Sequence, residues 1–408
     1  MTLFHPLPLE NVTLPNRFVR SATYEGLAEP DGTPRPELGR LYANLARNRV
    51  GTIVTGFAYV SRSGRSMQPR QCGIDRDSLI DAWAGVAGAT KEACSSCLLF
   101  MQIAHTGRQT LASSAAGDVI APSRGASPYF RTRPRVMEDR DVTKVIGRFA
   151  DAADRARRAG LDGVQIHAAH GYLVHQFLSP ATNRRKDRWG RDRGAFLREI
   201  VAAVKERSGD GFPVLVKLSG ADEDPGGMTP ELAAAYSEEL RGAGVDAVEV
   251  THGTMDLAFN IFRGSRPVDL ALETNPLFNR RPRWQLSLWK KTGWRRMEKR
   301  LRPFAEAYNR EWARAIRART DVPLILVGGL RSLETMEDVV ASGDADAVAL
   351  CRPLIAEPDL VERFHARRSA RSRCVNCNEC AVLCDTPRPV TCHRKAQREK
   401  TETEGVKR

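Results

Sequence analysis

The 408-residue chain has no apolar run long enough to cross a bilayer, which argues against a helical membrane protein. Its first residues, MTLFHPLPLENVTLPNRF, have neither the basic start nor the apolar core of a secretory leader, so a cytoplasmic enzyme is the expectation. No helix-turn-helix or RRM-type module is found either. Acidic residues are in short supply, 49 against 63 Lys and Arg, giving a formal charge of +14. Such a balance attracts polyanions, phosphates and membrane surfaces. The arginines are scattered along the whole chain, however, so general composition is the preferred cause and no nucleic-acid partner is expected. A hydrophobic share of 42% and a charged share of 27% are those of an ordinary globular protein. The length allows a barrel with an appendage, or two or three smaller domains.

A repeating pattern runs through the chain: a short apolar run, a polar loop, then a longer amphipathic stretch. The candidate strands are 18–22, 51–55, 98–103, 163–166, 214–218, 247–250, 324–327 and 347–350. Helical patterns between them include 37–48, 142–159, 196–207, 230–242, 304–317 and 333–342. Eight βα units fit an α/β fold of the (β/α)8 TIM-barrel type, with a doubly wound sheet as the alternative. A barrel places reactive groups just after its strands, at the C-terminal face. Polar, glycine or basic residues stand at all eight exits. They are Thr23, the stretch 56–58, Gln102 with His105, His167 with His170 and Tyr172, Lys217, Thr251 with His252, Gly328 with Gly329, and Cys351 with Arg352. One large pocket at the rim is the economical explanation.

The most informative exit is the fourth. After the apolar run 164–166 the chain turns polar at His167 and His170. A helical turn starting there would put both imidazoles on one side with Tyr172 close behind, able to donate to one substrate oxygen. Satisfied structural histidines and metal ligands are the alternatives.

The continuous stretch HAAHGYLVHQFLSPATNRRKDRWG resembles the signature segment of the Old Yellow Enzyme family of FMN-dependent ene-reductases. The resemblance implies FMN as cofactor, NADH or NADPH as reductant, and an α,β-unsaturated carbonyl compound as substrate. It implies that His167 and His170 hold the carbonyl oxygen and that Tyr172 donates a proton to the α-carbon. Thr23 would lie at the flavin edge, with backbone of the Ala22 and Ala58 regions on the ring. Gln102 and Lys217 have the donor and cation chemistry that the ring's carbonyl edge needs. Gly328, Gly329 and Arg352 would form the phosphate end, where glycines admit close backbone approach and an arginine adds charge. One departure from the family pattern is Cys351, which stands where a glycine usually precedes that arginine.

Two stretches fall outside the repeat. Residues 253–303, inside the sixth unit, are too long for a barrel loop and read as a lid. Trp284, Trp289 and Trp294, interleaved with Lys and Arg, suit a nucleic-acid stacking strip, an interfacial helix, or inward-facing rings with a solvated basic face; the last is preferred. A basic lid also suits an anionic substrate such as an acyl-CoA.

The barrel domain is expected to cover residues 1–365 and a Cys-rich appendage residues 366–408. Five of nine cysteines lie between Cys374 and Cys392, which points to a metal centre rather than a disulfide framework. Cys374, Cys377, Cys380 and Cys384 have ferredoxin-type spacing, although Asp385 replaces the expected proline. Resemblance to the iron–sulfur branch, with 2,4-dienoyl-CoA reductase and trimethylamine dehydrogenase, favours Cys392 as fourth ligand. The expected ligand set is therefore Cys374, Cys377, Cys380 and Cys392, holding a [4Fe–4S] cluster in preference to zinc or no metal. Relatives in that branch continue into a second dinucleotide-binding region, but no GxGxxG follows here. A cluster would then exchange electrons with a separate protein, the alternative function being a flavin and iron–sulfur dehydrogenase, or be a relic that braces the C-terminus. Monomer and homo-oligomer both remain open.

Overall fold

The computed structural model describes residues 2–394. Eight parallel strands form its centre: β1 (Phe18–Arg20), β2 (Thr52–Val54), β3 (Leu98–Ala104), β4 (Gly163–Ala168), β5 (Val214–Ser219), β6 (Ala247–Thr251), β7 (Leu324–Val327) and β8 (Ala347–Leu350). Each pairs with its neighbour in chain order, β8 returns to β1, and β2 pairs with β3, so the sheet closes on itself. Helices alternate with the strands: α1 (Pro36–Arg47), α2 (Ile80–Ala93), α3 (Asp139–Arg158), α4 (Ala195–Ser208), α5 (Pro230–Gly242), α6 (Arg310–Arg317), α7 (Leu333–Ala341) and α8 (Leu360–His365). This is the (β/α)8 barrel.

Residue alternation builds two cores. Outward residues such as Val216 and Leu218 of β5 join the large layer between sheet and helices. Inward Leu215 belongs to a smaller cluster with Val54, Phe100, Ala247, Ile325 and Ala347, plugged from below by Leu7 and Leu14 of an N-terminal hairpin. Phe100 fits inside because Gly163 faces it, where a Cβ would lie 2.3 Å from the ring. One layer higher the inward positions turn polar: Gln102, Gln165, Lys217 and Glu249. Strand register sets Lys217 beside His167 on one side and Glu249 on the other. The floor is thus sealed with hydrocarbon, and the polar residues point to the open end.

The helices form for ordinary reasons. α1 begins with Pro36, whose missing N–H costs nothing there, and buries Leu38, Tyr42 and Leu45. α3 starts with a reciprocal capping box between Glu138 and Asp141. The pattern over 304–317 gives a shorter helix than expected, starting only at Arg310, because the stretch before it carries Tyr308 and Asn309 to the cavity.

Residues 253–303 fold into a string of short helices with their own apolar cluster, Leu257, Val268, Leu272, Trp294 and Leu301. Trp289 packs at 6.3 Å from Trp294, but Trp284 is 67% exposed, so the three tryptophans do not share one inward face. Asp256 ties this insertion to the loop after β3, accepting from Ser127 Oγ at 2.7 Å and Gln109 Nε2 at 2.8 Å. Among the described residues no helix is long and apolar enough to cross a membrane.

Candidate active site

A cavity opens at the C-terminal ends of the strands, and most of the anticipated residues line it. They are Ala22, Thr23, Gln102, His167, His170, Tyr172, Lys217, Gly328, Gly329 and Arg352. Ala58 does not line it, being buried in the outer core with the neighbouring Phe57 at the cavity instead, and His105, His252 and Gly56 of the strand exits also stand outside its lining.

His167 and His170 come together by a different route from a helical turn. His167 is still in β4, and His170 adopts a left-handed conformation with φ of 60°, followed by Gly171 at 77°. That reversal folds the chain back and brings the two rings to 5.1 Å, with Tyr172 at 4.7 Å from His167. A histidine in this region is uncommon and costs free energy, so its surroundings must hold it there. They do: the His170 N–H donates to Ser219 Oγ at 3.2 Å, and its carbonyl accepts from Met255 at 3.0 Å.

Burial keeps both imidazoles neutral, holding their pKa values well below the usual range, with the Lys217 charge adding to the effect. The Ala169 N–H donates to His167 Nδ1 at 3.3 Å, which assigns that ring's proton to Nε2. His170 Nε2 lies 2.9 Å from Thr251 Oγ1, so a hydroxyl donating there leaves the proton on Nδ1. Tyr172 is pushed up by burial and retains its phenolic proton at neutral pH. The wall therefore offers neutral N–H and O–H donors rather than cations.

Below it runs a buried relay that the sequence pattern did not single out. Gln102 Nε2 donates to Gln165 Oε1 at 2.7 Å, and Gln165 Nε2 to Glu249 Oε2 at 2.7 Å. The other carboxylate oxygen accepts from Ser21 Oγ at 2.5 Å and pairs with Lys217 Nζ at 3.0 Å. Lys217 also donates to Ser21 Oγ at 2.8 Å. Gln102 and Lys217 are thus fixed in orientation by Gln165, Glu249 and Ser21, whose only sequence signal was a polar residue on an inward strand position. Thr23 is placed by Arg20, which donates to the carbonyl oxygens of Val54 and Thr23 and pairs with Glu25 at 2.9 Å.

At the far end Gly328 and Gly329 have φ of 135° and 72°. A Cβ on Gly329 would lie 2.7 Å from the Tyr308 ring, and one on Gly328 2.6 Å from Asn309 Nδ2. Buried Arg352 donates to the Arg263 carbonyl at 2.9 Å and to Asn378 Oδ1. Donors on Gln102 and Lys217, the glycine cradle and Arg352 beside it fit FMN.

Part of the stretch 366–394 reaches this cavity. Asn376, Cys380, Ala381, Cys384 and Val390 line it. Asn378 donates to the carbonyls of Phe262 and Ser265, Ser372 N–H to Arg331, and Val390 N–H to Glu25. Cys380 lies within electrostatic reach of Cys374, Cys377 and Cys392, yet among the described residues no three Cys, His, Asp or Glu side chains converge closely enough to hold a metal ion. Burial also raises the thiols of Cys374, Cys380 and Cys384, that of Cys380 to about 12. The cysteines as placed do not form a cluster site.

The rim of the closed barrel thus gathers paired imidazoles, a buried lysine and a glycine cradle. A model of the NADH:flavin oxidoreductase / NADH oxidase family matches residues 2–287, and the chain belongs to that family. It is 32% identical over 362 residues to an NADPH dehydrogenase of Geobacillus thermodenitrificans, covering 87% of this chain and 91% of the relative. An NADH oxidase of Thermoanaerobacter brockii is 30% identical over 92% of this chain, which spans about half, 52%, of that protein. Morphinone reductase superposes with a TM-score of 0.70 at 25% identity, covering 91% of each chain. The old yellow enzyme homologue from Zymomonas mobilis gives 0.69 at 24% identity, covering 92% of this chain and 96% of that one.

Proposed function

We propose that this protein uses NADH or NADPH to reduce the activated C=C bond of an α,β-unsaturated carbonyl compound, with FMN as its resident cofactor. The observation that carries the reading is the pairing of two neutral imidazoles with a protonated tyrosine on one wall of the cavity. When bound, FMN supplies hydride from its N5 atom to the β-carbon of the substrate.

The chain's own residues do the rest. Gln102 and Lys217 would hold the ring's polar edge, and Lys217 would offset negative charge collecting there. Gly328, Gly329 and Arg352 would hold the phosphate. His167 and His170 would donate to the substrate carbonyl oxygen from Nε2 and Nδ1. Fixed donors aimed at an oxygen that gains charge stabilise the transition state more than the ground state. Tyr172 would deliver its proton to the α-carbon. The insertion and residues 376–390 would exclude water.

An anionic substrate gains modest support from the basic insertion. Lys290 is already paired with Asp269 through Nζ at 2.5 Å, leaving Arg295 the freer cation. The electron-transfer alternative rests on the spacing of Cys374, Cys377, Cys380 and Cys392 alone, and iron and sulfide analysis of anaerobically purified protein tests it. For the main reading, the test is an absorption spectrum during anaerobic NADPH addition and then addition of an enone such as 2-cyclohexenone. Bleaching of a flavin band by NADPH and its rapid return with the enone is the expected result. Reconstituted protein with no flavin band, or a bleached band that the enone leaves unchanged, overturns it.

A further inference from the structure

The insertion carries one surface that the cavity chemistry does not use. Residues 283–298 are helical throughout, with Arg283–Trp289 and Arg295–Glu298 joined by the π-helical turn Lys290–Trp294. One side of this run packs Leu286, Trp289, Trp294 and Met297 into the insertion's own apolar cluster. Trp284 and Leu288 point the other way, one helical turn apart and 67% and 56% exposed. Among the described residues Val375 is the only other large apolar side chain left so open. Apolar side chains exposed singly are ordinary, but two on adjacent turns of one helix make a patch.

Cations surround that patch. Between residues 280 and 300 the sole acid is Glu298, which pairs with Arg266 at 3.3 Å, and Lys290 is held by Asp269. Arg280, Arg281, Arg283, Lys291, Arg295 and Arg296 are exposed and have no carboxylate partner among the described residues. This charge decides what would cover the face. A second copy of the chain would bring like charges together, because a two-fold interface sets the same patch against itself. A nucleic acid would satisfy the cations and stack on Trp284, but it offers Leu288 nothing apolar. The surface of an anionic bilayer matches both halves: headgroup phosphates meet the Lys and Arg side chains, while the indole and the leucine enter the boundary with the acyl chains.

We propose that the outward face of residues 283–298 binds the surface of an anionic phospholipid membrane, with Trp284 and Leu288 as the inserted side chains and the free cations on the headgroup phosphates. The helix lies along the bilayer and does not cross it. This surface rests on the insertion alone and is independent of the flavin reading.

The experiment sediments the full-length protein with extruded vesicles of phosphatidylcholine alone and of phosphatidylcholine mixed with phosphatidylglycerol, at low and at high salt. Wild type should partition onto the anionic vesicles better by roughly tenfold or more, and high salt should release it. Trp284→Ser combined with Leu288→Ser should lower that partitioning by roughly tenfold or more, with an unchanged melting temperature because both side chains already face water. Arg283→Gln combined with Lys291→Gln should lower it as well. Brominated acyl chains should quench the tryptophan emission of wild type and quench Trp284→Phe less. Equal partitioning of wild type onto neutral and anionic vesicles overturns the proposal, and so does anionic binding that survives the double serine variant. A dimer in analytical ultracentrifugation that the serine variant dissolves would assign the face to a second copy and reject the membrane. Salt-sensitive binding of a DNA oligonucleotide by protein that ignores the vesicles rejects it too.

Discussion

Glu249 holds Lys217 at 3.0 Å inside the barrel, both side chains almost wholly shut off from water. This pair sets the charge of the cavity floor, since a carboxylate and an ammonium cancel there before any ligand binds. Removing one partner strands the other. Glu249→Gln should therefore destabilise the fold by about 3–5 kcal/mol, as broken buried pairs do, read by urea denaturation at pH 7.5. A loss under 1 kcal/mol would mean that Lys217 finds another counter-charge.

The left-handed backbone at His170 separates two effects that are usually entangled. Asparagine tolerates that conformation and alanine does so less well. His170→Asn should keep near-native stability while His170→Ala loses about 1 kcal/mol more. Both should lower enone turnover by roughly 10²–10³-fold if the ring stabilises charge on the substrate oxygen. Thermal melts and steady-state kinetics on the two variants read both quantities, and equal stability of Ala and Asn would remove the strain argument.

Tyr172→Phe keeps the ring packing against His167 and Phe57 and deletes only the hydroxyl that carries the proton. The oxidative half-reaction with an enone should slow by roughly 10²-fold or more, while reduction by NADPH stays within a factor of about three. Stopped-flow measurement of the two half-reactions separates them. Equal slowing of both would assign Tyr172 to cavity shape.

Stability should fall below neutral pH. The unfolded chain protonates its histidines near pH 6.5, whereas burial keeps His167 and His170 neutral and brings His105 down to about 3. Between those values the unfolded state binds more protons, and each histidine removes about 1.4 kcal/mol per pH unit as pH falls below 6.5. Asp385 and Asp224 act oppositely. Burial raises each to about 6, so the folded state binds the extra proton between pH 6 and 4 and gains stability there as pH falls. Three histidines against two carboxyls leave a net loss. Denaturant titrations at pH 7.5, 6.5 and 5.5 measure it, and His105→Gln should flatten the slope.

Gly329→Ala adds a methyl group 2.7 Å from both the Ala305 carbonyl and the Tyr308 ring, at a φ that side chains avoid. A loss of at least 2 kcal/mol and weakened FMN retention on gel filtration are expected. A variant that keeps its flavin and its melting temperature would show that the cradle can open.

Strand and helix positions were largely legible because strands buried on both faces read as short apolar runs, and helices such as 230–242 carry a proline start and a glycine end. Helix α2, IDAWAGVAGATKEA, was not set out because alanine and glycine on every side blur its buried stripe. The shared pocket could be read from the strand exits. The way His170 reaches it could not, since a left-handed turn at a non-glycine residue is imposed by Ser219 and Met255, which are distant in sequence. Glu249 and Gln165 were passed over for a related reason. A polar residue inside an apolar strand has no visible role until register shows what stands beside it.

Asn378 touches three places at once: Arg352 on the barrel, and the Phe262 and Ser265 carbonyls on the insertion. Shortened versions of the protein ending near residue 365 would forfeit this keystone. Their mouths would gape to bulk water, so any fusion or display format should splice beyond residue 394 and leave the clasp whole.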